Sequence, residues 1–138
     1  MLPLKDITPG MLLARLENTL VSSYAPEHLD VDEHRRLQDL SNECFSRIKM
    51  GQEKYGQEWI IKDNIKEAGE ELLDAMNYIT YMLEQLDHFD NLDDDQQIVV
   101  DDCIDRLEAI LVLTADNMLD LKVVHNTLTE IQEEIKSQ

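Results

Sequence analysis

Apolar residues recur at intervals of three and four along most of this chain, the spacing that places side chains on one side of an α-helix. One such run comprises Met118, Leu121, Val124, Leu128, Ile131 and Ile135. No glycine or proline lies beyond Gly69, so half of the chain lacks the residues that most strongly disfavour helices. The pattern predicts an all-α fold.

Capping signals divide this pattern into separate helices. Thr8 stands before Pro9, an N-cap followed by proline at the first helical position. Asp30 with Glu33 resembles a capping box at the start of a second helix. A break near 114–117 separates the last two helices. The predicted helices cover about residues 8–23, 30–50, 63–86, 96–113 and 118–135.

The apolar side of each helix indicates what it buries. For the second helix the predicted buried residues are Leu37, Leu40, Cys44, Phe45 and Ile48. For the third helix the apolar side carries Ile65, Ala68, Leu72, Ala75, Met76, Ile79 and Leu83. We therefore expect a bundle of four to five helices, completed by oligomerisation.

The length of 138 residues fits one domain. Within it we expect an N-terminal helix and loop over 1–29, core helices that carry the site over 30–86, and C-terminal helices over 87–138. The acidic loop near 87–95 lacks the alternating oxygen ligands and central glycine of a calcium loop.

The net charge of −18 argues against binding nucleic acids or anionic membranes, which need positive fields. No run of 18 apolar residues and no signal-peptide pattern is present, so we expect a cytoplasmic protein. Cys44 and Cys103 lie in apolar helical patterns without CxxC spacing, which predicts buried, reduced thiols.

Four acidic residues form the most informative feature: Glu67, Glu70, Glu71 and Asp74. On a helix they fall within roughly 100° of arc, opposite the apolar side. Like charges at these spacings repel by about 0.2–0.5 kcal/mol per pair. Oxygen-rich clusters suit a hard cation such as Mg²⁺, which also binds nucleotide phosphates. The alternative is an ordinary solvated acidic surface.

The same side continues with Asn77, Tyr78 and Tyr81 in place of lysine or glutamine. Tyrosines at these positions favour a side that faces a cavity or a partner instead of bulk water.

Basic residues concentrate just before the acidic cluster, where five of the twelve lie with only three acids between positions 47 and 66. They are Arg47, Lys49, Lys54, Lys62 and Lys66. A metal–triphosphate substrate needs both signs of charge, so Lys54 is a candidate for neutralising phosphates. Ordinary ion pairing is the alternative. Tyr55 and Trp59 could stack on a base or anchor the loop.

The chain carries no nucleophile elbow, Gly-rich phosphate loop or zinc pattern. Metal-assisted attack by water is therefore a better hypothesis than a covalent mechanism.

These motifs resemble a known family. Arg47-x-x-x-Gly51-x-x-Lys54-Tyr55-Gly56, a tryptophan, and then Glu67-x-x-Glu70-Glu71-Leu72-Leu73-Asp74-Ala75-x-Asn77-Tyr78 are similar to the phage branch of the MazG-like all-α nucleotide pyrophosphohydrolases. The resemblance covers about positions 40–85. By this resemblance Glu71 and Asp74 match an ExxD element, Glu67 and Glu70 match part of a glutamate-rich element, and Lys54 and Tyr55 match a KYG segment.

The resemblance implies a hydrolase that converts (d)NTPs to (d)NMPs and pyrophosphate with Mg²⁺, for which Mn²⁺ could substitute. It implies a homodimer or homotetramer, located in the host cytoplasm if the protein is phage-encoded. Glu67, Glu70, Glu71 and Asp74 would hold metal, and Lys54, Tyr55, Asn77 and Tyr78 would bind substrate. The family's fuller pattern has EExxE on one helix and ExxD on the next, and here Lys66 replaces the first acid. If Glu67 and Glu70 belong to the first element, the second would come from Asp101, Asp102, Asp105 and Glu108. If Glu71 and Asp74 are the second element, the second helix would supply the partner from Asp39 and Glu43, of which Glu43 is favoured.

A different class of function is also open. Nine acids and one arginine lie between Asp87 and Glu108. Such a surface could imitate nucleic acid or bind a basic partner without any catalysis. A third alternative is a family member that binds nucleotides without cleaving them.

Overall fold

A computed structural model describes residues 2–23 and 30–138, and their fold is all-α, as predicted. The four α-helices are α1 (Pro9–Ser23), α2 (Val31–Tyr55), α3 (Asn64–Asp87) and α4 (Asp94–Lys136). Two short 3₁₀ turns cover Leu4–Asp6 and Glu58–Ile60, and the described residues contain no strand. The loop predicted to end the segment 1–29 falls on residues 24–29, outside the described residues.

Each helix begins where a side-chain oxygen accepts a hydrogen bond from the backbone N–H three residues later. The accepting residues are Thr8, Asp30, Asp63 and Asp93, with donor–acceptor distances of 3.2, 2.8, 3.1 and 2.8 Å. At Asp93 the capping box is complete, because the Gln96 side chain also accepts from the Asp93 N–H at 3.1 Å. The predicted starts of the first three helices are confirmed.

The sequence predicts a second helix that runs to about Met50, with 51–62 as a connection or a helix end followed by a loop. The structure has the helix end there, because α2 continues past Met50 to Tyr55. Gly51 does not end it, and a Cβ atom at this position would meet nothing within 4 Å. The helix ends at Gly56, whose φ of +61° lies in the region that favours glycine. The Gly56 N–H donates to the carbonyl of Gln52 at 2.8 Å.

The predicted break at 114–117 is wrong, since α4 is one helix of 43 residues, about 64 Å long. Thr, Asp and Asn can cap helices as well as continue them, which is why this segment resembled a break. In the structure the Thr114 hydroxyl donates to the Ile110 carbonyl of the preceding turn at 2.7 Å. The helix therefore passes through this segment without interruption.

The chain comprises two compact units, Met1–Lys62 and Asp63–Gln138. In the first unit α1 packs on α2, and in the second α3 packs on α4. The boundary between these two units lies between Lys62 and Asp63. The subdivision predicted from the sequence has its boundaries at 29/30 and 86/87. A single domain over 1–138 stays a prediction.

In the first unit the position that α2 buries most deeply is Ser41, which is 2% exposed, whereas Leu40 is 49% exposed. The prediction that Leu40 is buried is therefore wrong. The small side chain of Ser41 lies with Leu20 and Leu37 around a cavity between α1 and α2. Its hydroxyl donates to the Leu37 carbonyl at 2.9 Å, which satisfies a polar group that would otherwise be costly to bury.

In the second unit Gly69 of α3 is buried and faces Met118 and Leu121 of α4. A Cβ atom there would lie 3.4 Å from Met118 Cε and 3.7 Å from Leu121 Cδ2, which are ordinary van der Waals distances. Ile79, further along α3, is 7% exposed and is the one buried hydrophobic side chain among the described residues.

Both cysteines are free thiols, as predicted, but Cys103 is exposed on α4 and Cys44 is only partly buried. The expectation of buried thiols was wrong for Cys103 because α4 turns this side away from α3. None of the described helices is long and apolar enough to cross a membrane.

Candidate functional site

The acidic face of α3 comprises Glu67, Glu70, Glu71 and Asp74. Helix geometry places it 100° to 200° around the axis from Gly69, which contacts α4. Glu70, Glu71 and Asp74 are exposed, and Glu67 is partly buried. The four carboxylates share one side of α3, as predicted, but Glu67 is partly buried, and Glu70 and Glu71 border the contact with α4.

The acidic face fits a metal ion only in part. Its members are three and four residues apart, which separates neighbouring Cβ atoms by about 5–6 Å. In the described part of the chain, no three His, Cys, Asp or Glu side chains form a group that could hold a metal. A cation on this face would therefore have only one or two carboxylate ligands and would keep water or phosphate oxygens elsewhere, as Mg²⁺ commonly does.

The two tyrosines that continue the acidic face are open to solvent. Tyr78 is 66% and Tyr81 61% exposed, and their rings meet edge to face with centroids 6.2 Å apart. Asn77 is also exposed. Asn77, Tyr78 and Tyr81 do not line the cavities of about 390 and 560 Å³ between α3 and α4. That this side faces a partner stays a prediction.

The seam cavity, about 390 Å³ in volume, lies between α3 and α4 beside the acidic face. Glu70 contributes to its wall from α3, together with Lys66. Lys122, His125 and Asn126 contribute from α4. The fold thus brings the Glu70 carboxylate to the same cavity as Lys66 and Lys122, two lysines that are far apart from each other in the sequence.

A second, more open cavity of about 560 Å³ lies on the other side of the same contact. Glu71 borders it with Leu72 and Val124, and its surface is mostly apolar. Because consecutive helical residues point 100° apart, Glu70 and Glu71 border different cavities although they are neighbours in sequence.

No family model, curated protein or solved structure matches this chain. The resemblance to nucleotide pyrophosphohydrolases therefore depends on the motif residues of the sequence alone.

Lys54 and Tyr55, the predicted substrate-binding pair, lie at the end of α2 in the first unit. The Lys54 ammonium sits over the Tyr55 ring, with Nζ 5.1 Å from the centroid, which stabilises their mutual placement. Trp59 lies half-buried in the 3₁₀ turn that follows. A role for Lys54 and Tyr55 in substrate binding stays a prediction.

The predicted additional ligands are all solvent-exposed. Glu43 lies on α2, in the first unit, and Asp101, Asp102, Asp105 and Glu108 lie on the first half of α4. Asp102 accepts a hydrogen bond from Arg106 Nε at 2.8 Å. That bond and the negative charge of Asp102 raise the pKa of the Arg106 guanidinium, so Asp102 already has a cationic partner.

Sequence reasoning missed the contribution of Lys122, His125 and Asn126. A signal was present, because Lys122 is one of only four Lys or Arg residues after position 62. With His125 and Asn126 it lies three and four residues apart, on one side of a helix. The sequence did not show that this side shares a cavity with Lys66.

Proposed function

We propose that the protein is a Mg²⁺-dependent nucleoside triphosphate pyrophosphohydrolase that converts (d)NTPs to (d)NMPs and pyrophosphate. The observation that carries the proposal is the acidic face, four carboxylates on one side of α3 of which Glu70, Glu71 and Asp74 are exposed. Such repulsive stacking weakens an isolated helix, and a bound cation relieves it.

The metal would arrive largely as a metal–nucleotide complex. Mg²⁺ in nucleotide enzymes is usually held by one or two carboxylates and by substrate phosphates. Glu67, Glu70, Glu71 and Asp74 offer such pairs at i+3 and i+4 spacing. When bound, the ion would polarise the α-phosphate and acidify a water molecule. The exposed Asn77 and Tyr78 lie one turn further along α3 and would orient the ribose or the base.

The test of catalysis uses the full-length protein with each of the eight common NTPs and dNTPs, in Mg²⁺ or Mn²⁺, and measures pyrophosphate. We expect release with at least one nucleotide. Glu71→Gln should abolish it, because the substitution removes a charge of the acidic face while keeping the shape of the side chain. Far-UV circular dichroism should remain unchanged.

Glu130→Gln is the matched control, since Glu130 is an exposed glutamate on α4 away from the acidic face. Its activity should equal that of the wild type. Full activity in Glu71→Gln would refute the assignment of this residue.

A second candidate function is that of an acidic interaction protein that imitates nucleic acid. The nine acids between Asp87 and Glu108 favour it, because all of them are exposed. A mimic needs charges spread over an open surface. Absence of pyrophosphate with all eight nucleotides, together with tight binding to a basic protein, would favour this function over catalysis.

A further inference from the structure

The seam cavity has the size of a small-molecule site. Its volume of about 390 Å³ lies within the roughly 300–1,000 Å³ that ligand pockets occupy. It lies wholly within the second unit, between the first turns of α3 and the middle of α4. Part of its wall is apolar, formed by Ile65, Leu73, Met118 and Leu121.

Basic residues are concentrated around this cavity, although the unit that contains it is strongly acidic. Residues 63–138 hold twenty acids but only four Lys or Arg residues: Lys66, Arg106, Lys122 and Lys136. Two of these four, Lys66 and Lys122, line the seam cavity, and His125 lines it as well.

The two lysines are available to a ligand. Within the described residues, neither Lys66 nor Lys122 forms an ion pair within 4.0 Å. Asp63 also lines the cavity, but its carboxylate accepts from the Lys66 backbone N–H as the cap of α3. Glu70 stands at the border with the acidic face.

We propose that the seam cavity binds a nucleotide, with a phosphate between Lys66 and Lys122 and the nucleoside against the apolar wall. Paired ammonium groups suit phosphate oxygens, and a wall of Leu, Ile and Met suits the faces of a base. In this cavity, a site separate from Asn77 and Tyr78, Asn126 supplies an amide for the polar edge of the base or for the ribose. The identity of the ligand rests on the proposed function, whereas the site rests on the cavity and its charges.

The experiment measures binding by titration calorimetry in EDTA, so that no metal-dependent hydrolysis occurs. The probes are four nucleoside monophosphates (AMP, GMP, CMP and UMP), the matching nucleosides, and inorganic phosphate. We expect at least one monophosphate to bind more than tenfold tighter than its nucleoside and than phosphate alone.

The decisive variant is Lys122→Gln, which should weaken the binding of that monophosphate at least tenfold and leave the affinity for the nucleoside unchanged. Lys122→Arg should restore most of the affinity, because it restores the charge. The matched control is Lys136→Gln, which removes the same charge from the same helix outside the cavity and should bind as the wild type does. Circular dichroism of each variant checks that the helices are intact.

The outcomes separate this inference from the proposed function. Lys122-dependent binding of a monophosphate without any pyrophosphate release supports the cavity and counts against catalysis. The cavity assignment is overturned if Lys122→Gln and the wild type bind the monophosphate equally well. If the protein also releases pyrophosphate, catalysis still stands. Phosphate alone binding as tightly as the monophosphates would also overturn it, because the apolar wall would then contribute nothing.

Discussion

At the scale of single residues, the direction in which a side chain points from its helix decides which surroundings it has. Glu70 and Glu71 are adjacent, yet the first borders the seam cavity with Lys66 and the second borders the more apolar cavity. The sequence placed both on one acidic side. It could not show which of them would meet basic residues, because that depends on how α4 lies against α3.

Gly56 provides a test of residue-level conformation. Its φ of +61° and ψ of −138° form a combination that side chains with a Cβ atom adopt only under strain of about 1–3 kcal/mol. We expect Gly56→Ala to lower the free energy of unfolding by that amount, as measured by urea denaturation.

Gly51→Ala is the paired control for this prediction. Gly51 lies inside α2, and a Cβ atom there would meet nothing within 4 Å. Alanine should stabilise the protein by about 0.5–1 kcal/mol, because it forms helix better than glycine. Similar effects of the two substitutions would show that α2 does not end as described.

At the scale of elements, local signals predicted where helices start better than where they end. The caps at Thr8, Asp30 and Asp63 are short-range hydrogen bonds, so the sequence contains all that they need. The end of α2 and the continuity of α4 were harder to predict. Gly51 and Thr114–Asn117 are residue types that can either continue a helix or end it, and the local sequence does not decide between the two.

The continuity of α4 can be tested at Asp116, an exposed residue inside the segment that resembled a break. Proline at an interior helical position removes a hydrogen bond and clashes with the preceding turn, at a cost of about 3 kcal/mol or more. We expect Asp116→Pro to destabilise the protein by this amount in chemical denaturation.

Asp116→Ala should change stability little or raise it slightly, because alanine favours helix. If proline were as well tolerated as alanine, two helices with a flexible link would replace the single α4.

At the scale of the whole molecule, apolar side chains on the second half of α4 are exposed to solvent. Along α4 an apolar stripe is exposed at spacings of three and four: Val124, Leu128, Ile131 and Ile135. Such a stripe suits packing against a second helix.

We therefore expect the protein to self-associate, with a second copy covering this stripe. Sedimentation equilibrium should give at least twice the mass of one 16.0 kDa chain.

Ile131→Glu should weaken this association at least tenfold, because it places a charge in the stripe. Gln132→Glu adds the same charge one residue further on and should leave the association unchanged. A monomeric wild-type protein at micromolar concentration would contradict the prediction.

The sequence by itself determined the all-α class, three helix starts and the grouping of Glu67, Glu70, Glu71 and Asp74 on one side of α3. Each of these depends on residues within about four positions of one another, where helix geometry is the same in every protein. Only the tertiary structure decided that Lys66 and Lys122 share a cavity and that Gly69 lies against Met118 and Leu121. These features join residues that lie about fifty positions apart in the sequence. They come together because the helices pack against each other, and no local pattern encodes that packing.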